Sequence, residues 1–258
     1  MTGLIAADEP HPLECLNPDG ASAFLVVCEH AGRLIPRSLG TLGLPQHELT
    51  RHIAWDIGAR DIAVALAETL GAALYMQRYS RLVCDCNRRP DVPGFAPDLG
   101  ELTAIPGNAD LSPAQRQARQ QAIWSPFHDA LSAALDARRA AGRPTFLVTI
   151  HSFTPVFKGV SRPWQVGVLY NRDRHFAPAA LDYLRRNSGY TVGDNQPYAI
   201  TDDGDYTIPI HGEKRAIPCV EFEIRNDLTT GADAIRHWSG LLAQTVRSAA
   251  ASLQAPAP

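Results

Sequence analysis

The run Phe24-Leu-Val-Val-Cys28 ends directly in Glu29-His30-Ala-Gly32, and this junction restricts the fold more than any other stretch of the chain. An apolar run without alternation reads as a strand buried on both faces, as in sheets covered by helices on each side. Residues just past the carboxyl end of such a strand face the crevice where open α/β sheets bind ligands. Thr145-Phe-Leu-Val-Thr-Ile150-His151-Ser152 repeats the pattern, so a second apolar run delivers a second histidine. A lone histidine at a strand end is more often a hydrogen-bonded structural residue, but two at equivalent places point to a shared metal.

The remaining segments alternate between the two periodicities. Residues 1–22, with the turn-forming Pro10, Pro12, Asn17, Pro18, Asp19 and Gly20, read as an irregular lead-in, and residues 254–258 as an Ala/Pro tail. Glu48 to Leu70 reads as a helix stopped by Gly71, which would set His52 and Asp56 on one face, four residues apart. A strand pair is expected over 72–77 and 81–86, followed by a Pro- and Gly-rich loop from Asp91 to Asp110, long enough to suggest a lid or binding loop. Ser112-Pro113 should cap and open a helix running to about Ala141, broken or kinked at Ser125-Pro126. Further strands are expected over 164–170 and 218–224, and helices over 178–186 and 232–253. This alternation, with no linker to divide it, predicts a single domain spanning 1–258: a three-layer α/β/α sandwich with a mostly parallel, mixed sheet.

Charge narrows the partners. A net charge of -3 gives no reason to expect nucleic acid or an anionic membrane, so any cationic site must be local. No run is apolar enough to span a bilayer, and the acidic start lacks the form of a signal peptide, which predicts a cytoplasmic protein. The five cysteines, Cys15, Cys28, Cys84, Cys86 and Cys219, read as reduced and mostly buried. Cys84 and Cys86 would share one face of a strand, where core packing is favoured over a thiolate metal pair.

Three constellations carry the chemistry. A hydrolytic zinc needs three protein ligands and one open position. His30 and His151 supply nitrogens. Asp56 is the favoured third ligand with Glu29 as its rival, since Glu29 and His30 are adjacent and should point to opposite faces of an extended segment. The bland alternative for Asp56 is a surface pair with Arg60. The second constellation, Ser80-Arg81-Leu-Val-Cys-Asp85-Cys86-Asn87-Arg88-Arg89, sets Arg81, Asn87 and Arg88 as a grip for substrate carboxylates, against the alternative of a solvated basic patch. The third is Glu221-Phe-Glu223-Ile-Arg225, whose charged residues share one strand face. Glu223 is the expected general base and Arg225 a further substrate contact, against an exposed edge-strand ion pair. His211, in His211-Gly-Glu213, is the candidate for orienting substrate or stabilising an oxyanion.

Six segments, taken in order, resemble the N-formylglutamate amidohydrolase family. They are Cys28-Glu-His-Ala-Gly-Arg-Leu-Ile-Pro36, His52-Ile-Ala-Trp-Asp56-Ile-Gly58, Ser80-Arg-Leu-Val-Cys-Asp-Cys-Asn-Arg88, Asp194-Asn-Gln-Pro-Tyr198, Tyr206-Thr-Ile208 with His211-Gly212, and Glu223-Ile-Arg-Asn-Asp227. The resemblance covers about residues 22 to 250. It implies a phosphorylase/hydrolase-like, zinc exopeptidase-like fold, and a Zn2+-dependent hydrolysis of N-formyl-L-glutamate to formate and glutamate in histidine catabolism. Other N-acyl acidic amino acids are alternative substrates, and a non-catalytic binder of acidic amino acids is a reading from another class. The arrangement of Arg81, Asn87 and Arg88 is similar to the carboxylate clamp of aspartoacylases and zinc carboxypeptidases. In those relatives a glutamate ligand follows the first histidine by three residues. Here that place is Arg33, which is why Asp56 is invoked.

Overall fold

The computed structural model describes residues 3–254; Met1, Thr2 and the expected tail beyond Gln254 lie outside the described residues. Seven strands form one sheet: β1 (Leu13–Leu16), β2 (Phe24–Cys28), β3 (Ala73–Gln77), β4 (Phe146–Phe153), β5 (Val166–Leu169), β6 (Val192–Asp194) and β7 (Cys219–Arg225). Their lateral order is β1-β3-β2-β4-β7-β5-β6. Strands β3, β2, β4 and β7 run parallel, as do β5 and β6, while β1 against β3 and β7 against β5 are antiparallel. The sheet is therefore mixed and mostly parallel, as the alternation of segments predicts. β1 corrects the irregular lead-in: its four residues pair with the edge of β3, a tertiary choice that no local pattern announces.

Helices α1 (Ala59–Leu70), α4 (Phe176–Asn187) and α5 (Ala232–Gln254) cover one face. They pack on Val26, Cys28, Val148, Ile150 and Phe222. The other face, built on Leu25, Val27 and Leu147, is covered by α3 (Ser125–Ala140), reached through α2 (Pro113–Arg119). Ser112 forms the expected capping box with Gln115. Ser125-Pro126 breaks nothing. A π-helical stretch over Gln120–Trp124 leads directly into α3, and the chain stays helical through Pro126.

Two further expectations fail for physical reasons. The helix over 48–70 shrinks to a 3-10 turn, Glu48–Thr50, and to α1, which starts only at Ala59. Gly58 takes a left-handed φ of 79°, and a Cβ there would lie 2.3 Å from the Thr229 hydroxyl. The segment between is drawn to the end of β2, where the Asp56 amide donates to the His30 carbonyl at 3.0 Å. His52 and Asp56 thus share no helical face. The second strand of the pair, 81–86, is a series of turns, because the Ser80 hydroxyl accepts from the Leu82 amide and the Asp85 amide donates to the Phe95 carbonyl. All five cysteines are free, with Cys84 and Cys86 in the core beneath α3.

Strand register prepares the site. Val27 pairs with Thr149, Thr149 with Glu221, and His151 with Glu223. Because side chains alternate, Leu147, Thr149 and His151 share the α3 face with Cys219, Glu221 and Glu223. That face is apolar where the strands begin and polar where they end.

Candidate metal centre

At the carboxyl ends of β2, β4 and β7 the side chains of His30, Asp56 and His151 converge, each buried. His30 follows β2, His151 stands on β4, and Asp56 arrives on the irregular segment before α1. Asp56 Oδ2 lies 3.2 Å from His30 Nδ1 and 2.7 Å from His151 Nδ1, and the two Nδ1 atoms are 3.2 Å apart. Ligands about 2.0–2.1 Å from a tetrahedral zinc stand about 3.3 Å from one another, so this triangle has the size of one face of such a tetrahedron.

The far nitrogens are also occupied. His30 Nε2 lies 2.8 Å from Asp85 Oδ1, and His151 Nε2 lies 3.0 Å from Glu29 Oε2, off the line of a well-aligned hydrogen bond. A carboxylate on the far nitrogen fixes the tautomer that turns the Nδ1 lone pair toward a cation. Glu29 therefore sits behind His151 rather than in the ligand triangle. Arg81 bridges the cluster, donating from Nη1 to Asp56 at 3.3 Å and from Nη2 to Asp85 at 2.9 Å.

Charge balance supports a cation here. Five buried carboxylates, Glu29, Asp56, Asp85, Glu221 and Glu223, crowd two imidazoles and one guanidinium. Burial pushes the Glu221 carboxyl up to about 7 against the attraction of His151, and burial also drives Glu223 well above the carboxylate range. Asp85 is held well below its usual range, since His30 and Arg81 outweigh its burial. For His151 burial favours the neutral form, yet Glu221 and Glu29 prevail and raise it. Without an ion this cluster is balanced by protons kept on the imidazoles and on Glu221 and Glu223, and a divalent ion in the triangle would take their place. Both Glu29 oxygens and Glu223 Oε2 are buried without a hydrogen-bond partner.

The triangle opens into a cavity of about 560 Å³ whose walls include Arg81, Asn87, Arg88, Phe157, Tyr198, Glu221 and Glu223. Residues 22–230 match the family model for N-formylglutamate amidohydrolase. The chain belongs to the N-formylglutamate amidohydrolase family. A gene product of Agrobacterium tumefaciens with a known crystal structure is 39% identical over 98% of this chain and 100% of that one, with a TM-score of 0.94. The N-formylglutamate amidohydrolase of Ralstonia eutropha shares the fold at 20% identity, with a TM-score of 0.70 over 95% of this chain and 99% of that one. No curated protein matches the chain.

Within this N-formylglutamate amidohydrolase family member, the residues anticipated for catalysis and binding divide into two groups. Glu223 lines the cavity, as do Arg81, Asn87 and Arg88, but all three of the latter are engaged inside the protein. Arg81 serves Asp56 and Asp85. The Asn87 carbonyl accepts from the Tyr206 and Thr207 amides, both at 3.1 Å, and Arg88 pairs with Asp205 at 2.8 Å. His211 and Arg225 are not among the cavity residues. His211 faces His128 across 2.9 Å in a buried pair beside Trp124 and Tyr206, and Arg225 turns to Asp227 at 2.8 Å. The strand parity that grouped Arg225 with Glu223 is correct, but β7 ends at Arg225 and its side chain folds back along the chain. Arg33 stacks on Trp55 at 5.3 Å and lines a separate shallow groove with Arg60 and Arg78. Arg60 pairs with Glu14, not Asp56. Sequence reasoning missed the role of Asp85, although its place between Arg81 and Asn87 was in view. Its signal was the carboxylate itself, since a metal-bound histidine needs such a partner.

Proposed function

We propose that the protein is a zinc-dependent amidohydrolase that cleaves the amide of an N-acylated acidic amino acid, with N-formyl-L-glutamate, giving formate and L-glutamate, as its first candidate. The carrying observation is the His30, Asp56 and His151 triangle at the floor of a cavity that also holds a buried, partnerless carboxylate on Glu223. When bound, zinc supplies Lewis acidity to polarise a carbonyl and acidify a water.

The chain's own residues supply the rest. Glu223 accepts the proton of the attacking water and delivers it to the departing amine nitrogen. Burial alone would hold Glu223 protonated, whereas a nearby divalent charge favours the carboxylate, so the ion and the base are coupled. Asp85 and Glu29 hold the two imidazoles in place. Arg81, with a partly exposed side chain at the cavity wall, retains donors for a substrate carboxylate beyond those given to Asp56 and Asp85. The apolar walls, Ile53, Leu82, Phe153 and Ile200, exclude water around the reacting amide. This reading places the protein in the cytoplasm, among the enzymes of histidine breakdown.

The test joins elemental analysis to turnover. Purified protein is expected to carry one zinc per chain and to release formate from N-formyl-L-glutamate, with both lost on chelation and restored by zinc. Formate release unaffected by chelator would refute the metal-dependent reading, and no release from zinc-loaded protein would refute the substrate.

A further inference from the structure

Beside the cavity, packed against three of the rings that line it, lies a cation that the proposed chemistry leaves unused. Arg162 follows the short hairpin made by Val156–Phe157 and Val160–Ser161. Its guanidinium lies 4.6 Å from the Phe157 ring centroid, 4.7 Å from that of Tyr198 and 5.7 Å from that of Phe153. Nη1 donates to the Tyr198 hydroxyl at 2.9 Å, and the Thr154 carbonyl lies 3.5 Å away. Phe153, Thr154, Phe157 and Tyr198 all line the cavity. The positive charge of Arg162 reaches inward too, acting on both His52 and the Tyr198 hydroxyl.

Arg162 differs from the other arginines of this region in its partners. Arg81 is bound to Asp56 and Asp85, and Arg88 to Asp205 and the Gly204 carbonyl. No carboxylate of the described residues lies within ion-pair distance of Arg162. Contacts with three rings and the Tyr198 hydroxyl restrict the side chain, so little of its freedom remains to be lost when an anion arrives. A planar guanidinium held over aromatic faces presents its outer N–H edge to a carboxylate in two-pronged fashion.

We infer that Arg162, clamped by Phe157 and Tyr198, is the specificity-determining residue that binds the substrate carboxylate farther from the scissile amide. The arginines already neutralised within the protein would serve the nearer one. This assignment rests on the hydrolytic reading above and deepens it by naming the residue that reads the distal carboxylate. Tyr198 is the positioning residue, since its hydroxyl and ring hold the guanidinium.

Zinc-loaded wild type and the Arg162→Gln and Arg162→Lys variants are to be assayed with N-formyl-L-glutamate and with N-formyl-L-glutamine, which lacks only the distal charge. Wild type is expected to favour the glutamate compound by about 10- to 100-fold in kcat/KM, mostly through KM, as a charge-assisted bidentate contact implies. Arg162→Gln should erase that preference while leaving the glutamine compound within about threefold. Arg162→Lys, which keeps the charge without the stacked plane, should retain part of it. An unchanged preference in Arg162→Gln overturns the inference. Calorimetric binding of glutarate, which needs no turnover, separates the two claims. Glutarate binding weakened at least tenfold in Arg162→Gln supports the anion site even if no formate is released, whereas equal binding by both proteins overturns it.

Discussion

Each of the two histidines has one nitrogen for the shared point and one for a carboxylate, and this division of labour makes separable predictions. His30→Ala and His151→Ala are expected to abolish stoichiometric zinc, because each removes a ligand outright, as elemental analysis would show. Asp85→Asn and Glu29→Gln should keep zinc but weaken it about 10- to 100-fold in a chelator competition, the usual cost of losing the partner behind a ligand. Glu223→Gln should behave oppositely, retaining zinc while kcat falls about 10²- to 10⁴-fold, the worth of a positioned proton acceptor. A Glu223→Gln protein that turns over normally would remove the base from the mechanism. The His128 and His211 pair makes a different prediction. Burial pushes them down to about 3 and about 4 from an ordinary 6.5. The unfolded chain therefore takes up protons that the folded one refuses in that interval. Their stabilising contribution is complete above pH 6.5 and lost as pH falls through it, at roughly 1.4 kcal/mol per pH unit for each group. Urea midpoints of zinc-saturated wild type and His128→Gln across pH 7.5 to 5 should differ in slope, wild type losing stability faster on acidification.

The element that decides the site is the irregular stretch from Arg51 to Gly58, and it is also where sequence pattern and structure part most widely. Its apolar spacing continues that of α1, so helix is the sound local reading. What overrides it is tertiary: the Asp56 amide bonds to the His30 carbonyl, and Gly58 turns left-handed against Thr229. Asp56 reaches the two histidines although the helix expected to carry it is absent there; its candidacy as a ligand came from exclusion of Glu29 by strand parity. Parity is a local rule of extended chain and held at Glu29, Glu221 and Glu223. It could not reveal that Arg81 and Arg88 spend part of their charge on internal carboxylates, or that His211 packs against His128. Apart from Asp85, four residues from Arg81, those partners lie 25 to 117 residues away along the chain, and only the fold makes them neighbours. Gly58→Ala is expected to cost at least about 1 kcal/mol, since the left-handed backbone and the clash with Thr229 act together. Zinc affinity should fall with stability, because the same turn delivers Asp56. Full retention of both would show that the turn does not set the ligand.

At the scale of the whole molecule, the strand order places β4 at the centre, flanked by β2 and β7, so three parallel carboxyl ends meet at one crevice. The two apolar runs that end at His30 and His151 were readable as buried strands, and so was the layered architecture that covers them. The edge strand β1 and the register among the central strands were not, since pairing is a long-range property. An ion bound only by the folded state raises thermal stability by mass action. With zinc at about 100 times its dissociation constant the gain is about 2.7 kcal/mol, or roughly 5–10 °C in Tm for a chain of this size. Calorimetry with and without chelator checks this, and an identical Tm in both would argue that no ion is held.

The ligand triangle joins position 30 to position 151 through 56, with β7 lying alongside β4 and α5 packed over α1. During synthesis, then, a ribosome must have released more than half of the polypeptide before these three side chains can meet. Zinc retention would thus serve as a maturation marker: arrested nascent chains that end before residue 151 should release the metal to a weak chelator, and only chains extended through β7 and α5 should keep it.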